Sequence, residues 1–245
     1  MKKVKYKMGK LGKYRFMNRF HSIKAYLPDT RAATKSNLKT MIGRYESLYL
    51  KPDEGTGGHG IYKITKTKKG YTLRNGVSAR NFSSIDTLYG AIHTVMRKNK
   101  YLVQRGIDLL KHNNRAFDIR VMVQKNRKRV LVPTGIVGRL GRPKKIVTNF
   151  HSGGTPLPIG TLLSSHLKGN AKTKYIRRME ELGREASRVL GKSYRSKRAF
   201  GVDIAIDAKM KPWILEINTQ PDRTIFNALK DKTMYKRIQG YAKIK

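Results

Sequence analysis

Residues 47–66 read SLYLKPDEGTGGHGIYKITK, and four of the six residues 55–60 are glycine. The run fits G-x-G-x-x-G, a spacing shared by several phosphate-binding loops and by glycine-rich turns, so its flanks decide its meaning. A dinucleotide-binding turn must lead from a strand into a helix whose N-terminus holds the pyrophosphate. Here Gly60 opens onto IYKITK, which alternates with period two as a strand does. A Walker-type loop is excluded as well, because no Gly-Lys-Ser/Thr closes the run. What the sequence permits is a strand, a glycine turn and a returning strand. Such a flap can lie over phosphates and offer them backbone N–H groups, or it can be a plain hairpin turn. Lys51, just ahead of it, is placed to add a point charge on a phosphate.

The rest of the chain supplies elements on both sides of this turn. Leu11, Tyr14, Met17, Phe20 and Ile23 recur at near-helical spacing until Pro28 closes the segment, and a second helix is expected over 34–43. After the flap, IYKITK and YTLRN flank a Lys-Lys-Gly turn and read as a hairpin. Ser83 with Asp86 reads as a capping box ahead of an amphipathic helix carrying Ile85, Leu88, Ile92, Val95 and Met96. YLVQ, FDIRVMVQ and VLVPTGIVGRL read as strands. The loop RPKKIVTNFHSGGTPLP suits either a substrate lid or a surface connection. A helix over 172–190 places Ile176, Met179, Leu182, Ala186 and Val189 on one face, and the hairpin FGVDIAID/PWILEIN with a final amphipathic helix completes the chain.

Strand alternation places Asp203, Ala205 and Asp207 on one face of that hairpin, and Glu216 and Asn218 on one face of its second strand, opposite Trp213, Leu215 and Ile217. A turn centred between Lys209 and Met210 sets Asp203 across from Glu216. Two acids and an amide then converge where like charges repel unless a cation sits between them. Oxygen ligands of this kind suit Mg²⁺, which takes one or two carboxylates and completes its shell with phosphate and water. A half-exposed polar hairpin is the competing reading.

Composition bounds the class. With 245 residues and 38% hydrophobic content the chain can bury a core as one large domain or two lobes. The absence of cysteine removes disulfides, thiolate metal sites and cysteine nucleophiles. No long apolar run or secretory leader is visible, so a soluble, cytoplasmic protein without membrane contact is expected. There are 55 Lys and Arg against 15 Asp and Glu, a formal +40, with no acid before Asp29. Such a surface attracts polyanions by long-range steering, whether nucleic acid, acidic polypeptide or anionic surface.

Taken in order, these segments resemble the ATP-grasp superfamily. YLKPDEGTGGHGI is similar to its strand, lysine and flap, YLVQRGI to its hinge, and GVDIAID with WILEIN to its metal-binding hairpin. The order Q-x-G-I, F-D-I-R-V, G-R, N-F-H-S-G-G, G-V-D-I and E-I-N resembles the ribosomal-protein glutamate ligases. IKAYLPDT, YLKPDEGTGGHGI and VMVQKN resemble the YheC/YheD family of endospore coat-associated ATP-grasp proteins more closely still.

The resemblance implies an α+β ATP-grasp fold, two lobes with antiparallel sheets clasping ATP between them, without the additional N-terminal domain common in the family. Residues 1–45 would be a basic helical lead-in, 46–104 the small lobe with the flap, and 105–245 the large lobe with the metal hairpin. It further implies that Lys51 contacts the α- and β-phosphates while Gly55, Thr56, Gly57, Gly58, His59 and Gly60 cover them. Lys13 would be the second phosphate lysine, with Lys10 as the alternative alignment. Gln104 and the backbone near Ile107 would read adenine, and Asp203, Glu216 and Asn218 would hold Mg²⁺. Arg120, oriented by Asp118, would meet the transferred phosphate or acyl phosphate together with Arg139 and Asn149. His59 and His151 are secondary candidates for an acid or base. The implied activity is ATP-dependent carboxylate–amine ligation through an acyl phosphate, and the charge points to an acidic peptide, protein tail or polymer as substrate. A second subunit or partner would replace the missing wall of the site, and the forming spore coat is the implied location. Asp222 stands where the glutamate ligases have glycine. The alternative is a non-catalytic basic module on the same fold, binding RNA or serving as a spore-coat structural protein.

Overall fold

The computed structural model describes residues 8–55, 57–97 and 99–244. In chain order the first half contains α1 (Lys10–Met17), α2 (His21–Lys24), β1 (Thr30–Ala32), α3 (Lys35–Arg44), β2 (Ser47–Pro52), β3 (Tyr62–Thr67), β4 (Gly70–Asn75), β5 (Ser78–Phe82), α4 (Ile85–Met96) and β6 (Tyr101–Arg105). Its strands form one antiparallel sheet in the order β1-β6-β2-β3-β4-β5. Leu48, Leu50, Ile64 and Leu73 face α3 and α4 and bury against Leu38, Met41, Leu88 and Ile92. The alternate residues, Tyr49 and Lys51 among them, are thereby turned to the other side.

Several expectations need correction here. The helix expected over 11–23 is two short helices. Phe20, with extended dihedrals, separates them, and the break lets Met17, Ile23 and Leu27 enter one core with the second half of the chain. Residues 8–45 are not helical throughout, because β1 pairs with β6 and extends the first sheet. The start of α1 is pinned by Asp53, whose carboxylate accepts from the Leu11 N–H at 2.7 Å. A Cβ on Gly9 would collide with that carboxylate. The capping box of α4 lies one residue later than expected, on Ser84 and Thr87, and Asp86 instead meets Lys35 at 2.6 Å. β5 escaped the sequence reading because SARNF is an exposed edge strand with no apolar alternation.

The second half contains β7 (Lys111–His112), β8 (Arg115–Lys125), β9 (Leu131–Leu140), β10 (Thr155–Leu157), α5 (Ile159–Leu162), α6 (Gly169–Gly191), β11 (Ala199–Ile206), β12 (Pro212–Asn218), α7 (Thr224–Asn227) and α8 (Thr233–Ala242). Its sheet runs β10-β9-β8-β11-β12, with β7 beside β8. Burial on both faces explains why β8 reads as a nearly continuous apolar run. Phe117, Ile119, Val121 and Val123 pack toward α6, and Met122 packs toward α7 and α8. Asp118 and Arg120 share the face of Met122 and are buried there. On α6, Gly183 allows close approach, since a Cβ there would lie 2.7 Å from Val121 Cγ1.

The β11–β12 hairpin carries a bulge. Asp203 pairs with Glu216 as expected, but Ile204 pairs with Ile214, leaving Leu215 without a partner. The extra residue shifts the alternation. Ile214 and Ile217 enter the α6-side core, whereas Trp213 packs on the other side with Ile107 and Ala205, and Leu215 joins them. Trp213 and Leu215 therefore lie on the face of Glu216, not opposite it.

Candidate functional site

Between the two sheets lies a cavity of about 510 Å³, lined from the small lobe by β2, the glycine loop and β6, and from the large lobe by β8, β9, the loop 146–151, β11 and β12. Of the residues singled out in the sequence, Lys51, Gly55, Gly57, Gly58, His59, Gln104, Ile107, Arg120, Arg139, Asn149, Asp203, Glu216 and Asn218 all line it. Thr56 lies outside the described residues. Lys13 and Gly60 are not part of its lining. The Lys13 ammonium donates to the Ile217 carbonyl at 3.0 Å and faces a small adjoining pocket, whereas Lys10 lines the main cavity and donates to the Gly55 carbonyl at 2.9 Å.

The flap is built by backbone geometry that side chains resist. Gly55, Gly57, Gly58 and Gly60 have φ of 120°, 73°, 82° and 68°, a region that residues with a Cβ rarely adopt. The turn also rests against the large lobe. Ser152 donates its hydroxyl to the Gly57 carbonyl at 3.0 Å, and a Cβ on Gly58 would lie 3.0 Å from Ser152 Oγ and 3.4 Å from Asn149 Cγ. Tyr49 adds a second tie between lobes, donating to the Ile146 carbonyl at 2.9 Å.

At the strand end Lys51 donates to Gln104 Oε1 at 2.6 Å. Burial holds the ammonium below its usual pKa; Glu216 offsets part of this and Lys10 adds to it. Gln104 is itself fixed, donating to Thr30 Oγ1 at 3.1 Å. A cation held below its ordinary pKa and facing a cavity is suited to receive an anion.

Across the cavity lies a buried ionic cluster. Arg120 grips Asp203 through Nε and through Nη2 at 3.0 Å. Arg139 pairs with Asp118, with Nε at 2.7 Å from Oδ1, and also reaches Asp203 Oδ2 at 3.0 Å. Asp118 is thus the partner of Arg139, not of Arg120 as the shared strand face suggested; cross-strand pairing of Asp118 with Arg139 brings the two together. Burial would raise the Asp203 pKa, but Arg120 and Arg139 overcome it and hold the carboxyl below the usual range. Arg139 is held above its usual value, since Asp118 and Asp203 outweigh its desolvation.

Both oxygens of Asp203 are thereby engaged by guanidinium groups. Glu216 and Asn218 present hard oxygen donors to the cavity, a set that fits Mg²⁺ when phosphate and water complete the shell. Among the described residues no cluster of three or more His, Cys, Asp or Glu is arranged to hold a metal by itself. Asp203 fits that set only once its arginines turn to another anion. One pairing went unseen in the sequence: His151 Nε2 lies 3.0 Å from Asp222 Oδ2, and Asp222 also accepts from the Thr224 N–H at 2.8 Å. Asp222 thus accepts from the first N–H of α7 and holds a histidine at the cavity wall.

Two antiparallel sheets closing on such a cavity are the ATP-grasp architecture. The chain belongs to the YheC/D-like ATP-grasp family, whose profile matches residues 5–244. It is similar to the endospore coat-associated protein YheD of Bacillus subtilis (strain 168), with 30% identity over 193 residues, 76% of this chain and 42% of YheD. YheC of the same organism, also described as endospore coat-associated, is 21% identical over 206 residues, 82% of this chain and 56% of YheC. The chain therefore spans about half the length of these curated relatives. Among solved structures, the ADP complex of N5-carboxyaminoimidazole ribonucleotide synthetase, PurK, is similar with a TM-score of 0.50 at 10% identity, covering 88% of this chain and 45% of that one. At that identity the likeness is one of fold. Among the described residues no helix is long and apolar enough to cross a membrane.

Proposed function

We propose that this chain carries the nucleotide site of an ATP-dependent carboxylate–amine ligase acting on an acidic peptide, protein tail or polymer. The fold usually serves carboxylate–amine ligation, and one observation carries the reading to this chain. Lys51, the glycine turn, Arg120, Arg139, Glu216 and Asn218 converge on a single cavity although they come from both lobes. In the proposed reaction a substrate carboxylate oxygen takes the γ-phosphoryl group of ATP, giving an acyl phosphate and ADP. The amine nitrogen then bonds to the acyl carbon as the carbon–oxygen bond to phosphate breaks, and the amine proton passes to solvent. Lys51 and the N–H groups of the turn hold the phosphates, while Arg120 and Arg139 neutralise the charge that develops on the transferred group. Glu216 and Asn218, joined by Asp203 when its arginines engage phosphate, would hold Mg²⁺, which when bound neutralises phosphate charge. Gln104 and the backbone near Ile107 orient adenine. A partner subunit or second copy would complete the acceptor side, and the endospore coat-associated names of the relatives support a location at the forming spore coat.

The second reading, a non-catalytic basic module binding RNA or the coat, is favoured by the arginines that already occupy Asp203. ADP release by the purified protein with ATP, Mg²⁺ and a panel of amino acids and acidic peptides tests the two. Release that depends on both an amine and a carboxylate supports the ligase, and none under any combination supports the module.

A further inference from the structure

Beside the cavity, the sheet of the small lobe carries charge that its folding does not require. Lys63 on β3 pairs directly with Arg74 on β4, and like charges opposed in this way destabilise a sheet. Both lie on the side of Tyr49, since Ile64 and Leu73 take the core side. The large lobe adds to the same rim. Arg74 donates to the Lys144 carbonyl at 2.7 Å, and the Lys145 ammonium lies 3.6 Å from the place of a Cβ on Gly76. Burial lowers the Lys63 pKa; Asp108 opposes this, and Arg74 and Lys111 lower it further. Four cations from both lobes, with Lys144 next to Lys145 in the chain, therefore gather where the adjacent acid, Asp108, balances only one.

We propose that Lys63, Arg74, Lys111, Lys144 and Lys145 form a docking surface for a carboxylate-rich polypeptide, which reaches the cavity along the small-lobe sheet. The proposal rests on the ligase reading, in which the reacting group is itself a carboxylate. The neighbouring side chains favour this partner over nucleic acid. Apart from Tyr49, the cavity side of β2 to β5 offers Ser47, Thr65, Thr72, Ala79 and Asn81, which are hydroxyl, amide and methyl groups. Bases need aromatic faces on which to stack, whereas carboxylates need only charge and hydrogen-bond donors.

Binding of a fluorescein-labelled oligoglutamate peptide to the full chain, read by anisotropy, tests this. Lys144→Glu/Lys145→Glu should weaken binding about tenfold or more, and Lys236→Glu/Lys243→Glu, on α8 and just after it, an equal change of charge, about twofold. Arg74→Gln, a neutral change on the other lobe, should weaken it about threefold. Each variant should bind a non-hydrolysable ATP analogue as the wild type does. Equal losses in the rim and α8 variants would show diffuse attraction and overturn the surface. So would a wild type that does not bind oligoglutamate, or an RNA of equal charge that binds more tightly and depends on the same residues. Because binding is read and not turnover, absent ligase activity overturns the proposed function without deciding this surface.

Discussion

Lys51 and Asp203 are both charges drawn out of water, and they are compensated to different extents. Lys51 leans on a neutral amide, Gln104, and stays below its ordinary pKa, so its charge serves a visiting anion better than it serves the fold. Lys51→Met should lower ATP affinity and slow phosphoryl transfer by about 10²- to 10³-fold. The urea midpoint should be unchanged or higher, and a large fall in it would make Lys51 a structural residue. Asp203 is the opposite case, held by two buried arginines. Asp203→Asn should cost about 3 kcal/mol in urea unfolding, as expected for breaking a buried ion pair. Its depressed pKa adds stability that is present above about pH 4 and lost as pH falls through the still lower folded value. Glu216 is half-buried at the cavity wall. Glu216→Gln should change stability by less than about 0.5 kcal/mol yet abolish Mg²⁺-dependent turnover; retained turnover would remove the assignment.

The glycine turn and α6 show how a missing side chain shapes an element. Gly57 and Gly58 combine positive φ with contact to Asn149, His151 and Ser152 of the opposite lobe. Gly57→Val and Gly58→Val should each suppress ATP turnover, because a β-branched residue resists the positive φ and the added side chain presses on the opposite lobe. Full activity in both variants would make this loop a plain hairpin turn. Gly183 tests packing against propensity. Alanine gains about 1 kcal/mol in a helix interior, but its Cβ would sit 2.7 Å from Val121 Cγ1 on a fully buried strand, and overpacking costs about 1–3 kcal/mol. Gly183→Ala should therefore lower the melting temperature. A rise would show that α6 shifts freely on β8.

A net charge of +40 far exceeds what a triphosphate site needs, and it loads the folded chain with self-repulsion. If the excess binds an acidic chain, apparent affinity for that chain should fall steeply as the Debye length shrinks from about 10 Å toward 3 Å. ATP affinity, set inside a cavity closed by Tyr49 and Ser152, should fall less. Nucleic acid would show a similar salt slope, so the deciding measurement is ADP production. Stimulation by an acidic peptide, with RNA of equal charge only competing, is the expected result. Stimulation by RNA alone would reverse the choice of substrate.

By itself the sequence determined what depends on local period and turn chemistry. The glycine run between period-two segments dictates a flap rather than a helix-capping loop, and alternation around a short turn dictates that β11 and β12 form a hairpin with Asp203 and Glu216 near one another. What remained for tertiary structure were choices among neighbours that are far apart in the chain. Ile206 pairs with Pro212, centring the turn on Lys209, and the bulge at Leu215 restores Asp203 to Glu216 while sending Trp213 and Leu215 to the cavity side. No local signal encodes that bulge, because it answers the demand of the α6-side core for Ile214 and Ile217. The partner of Asp118 is decided by the register of β8 against β9. That Lys10 and not Lys13 lines the main cavity follows from how α1 packs, its start held by the Asp53 carboxylate. Local residues set the hydrogen-bonding period of each element, but which charges meet across a cavity follows from how the elements pack.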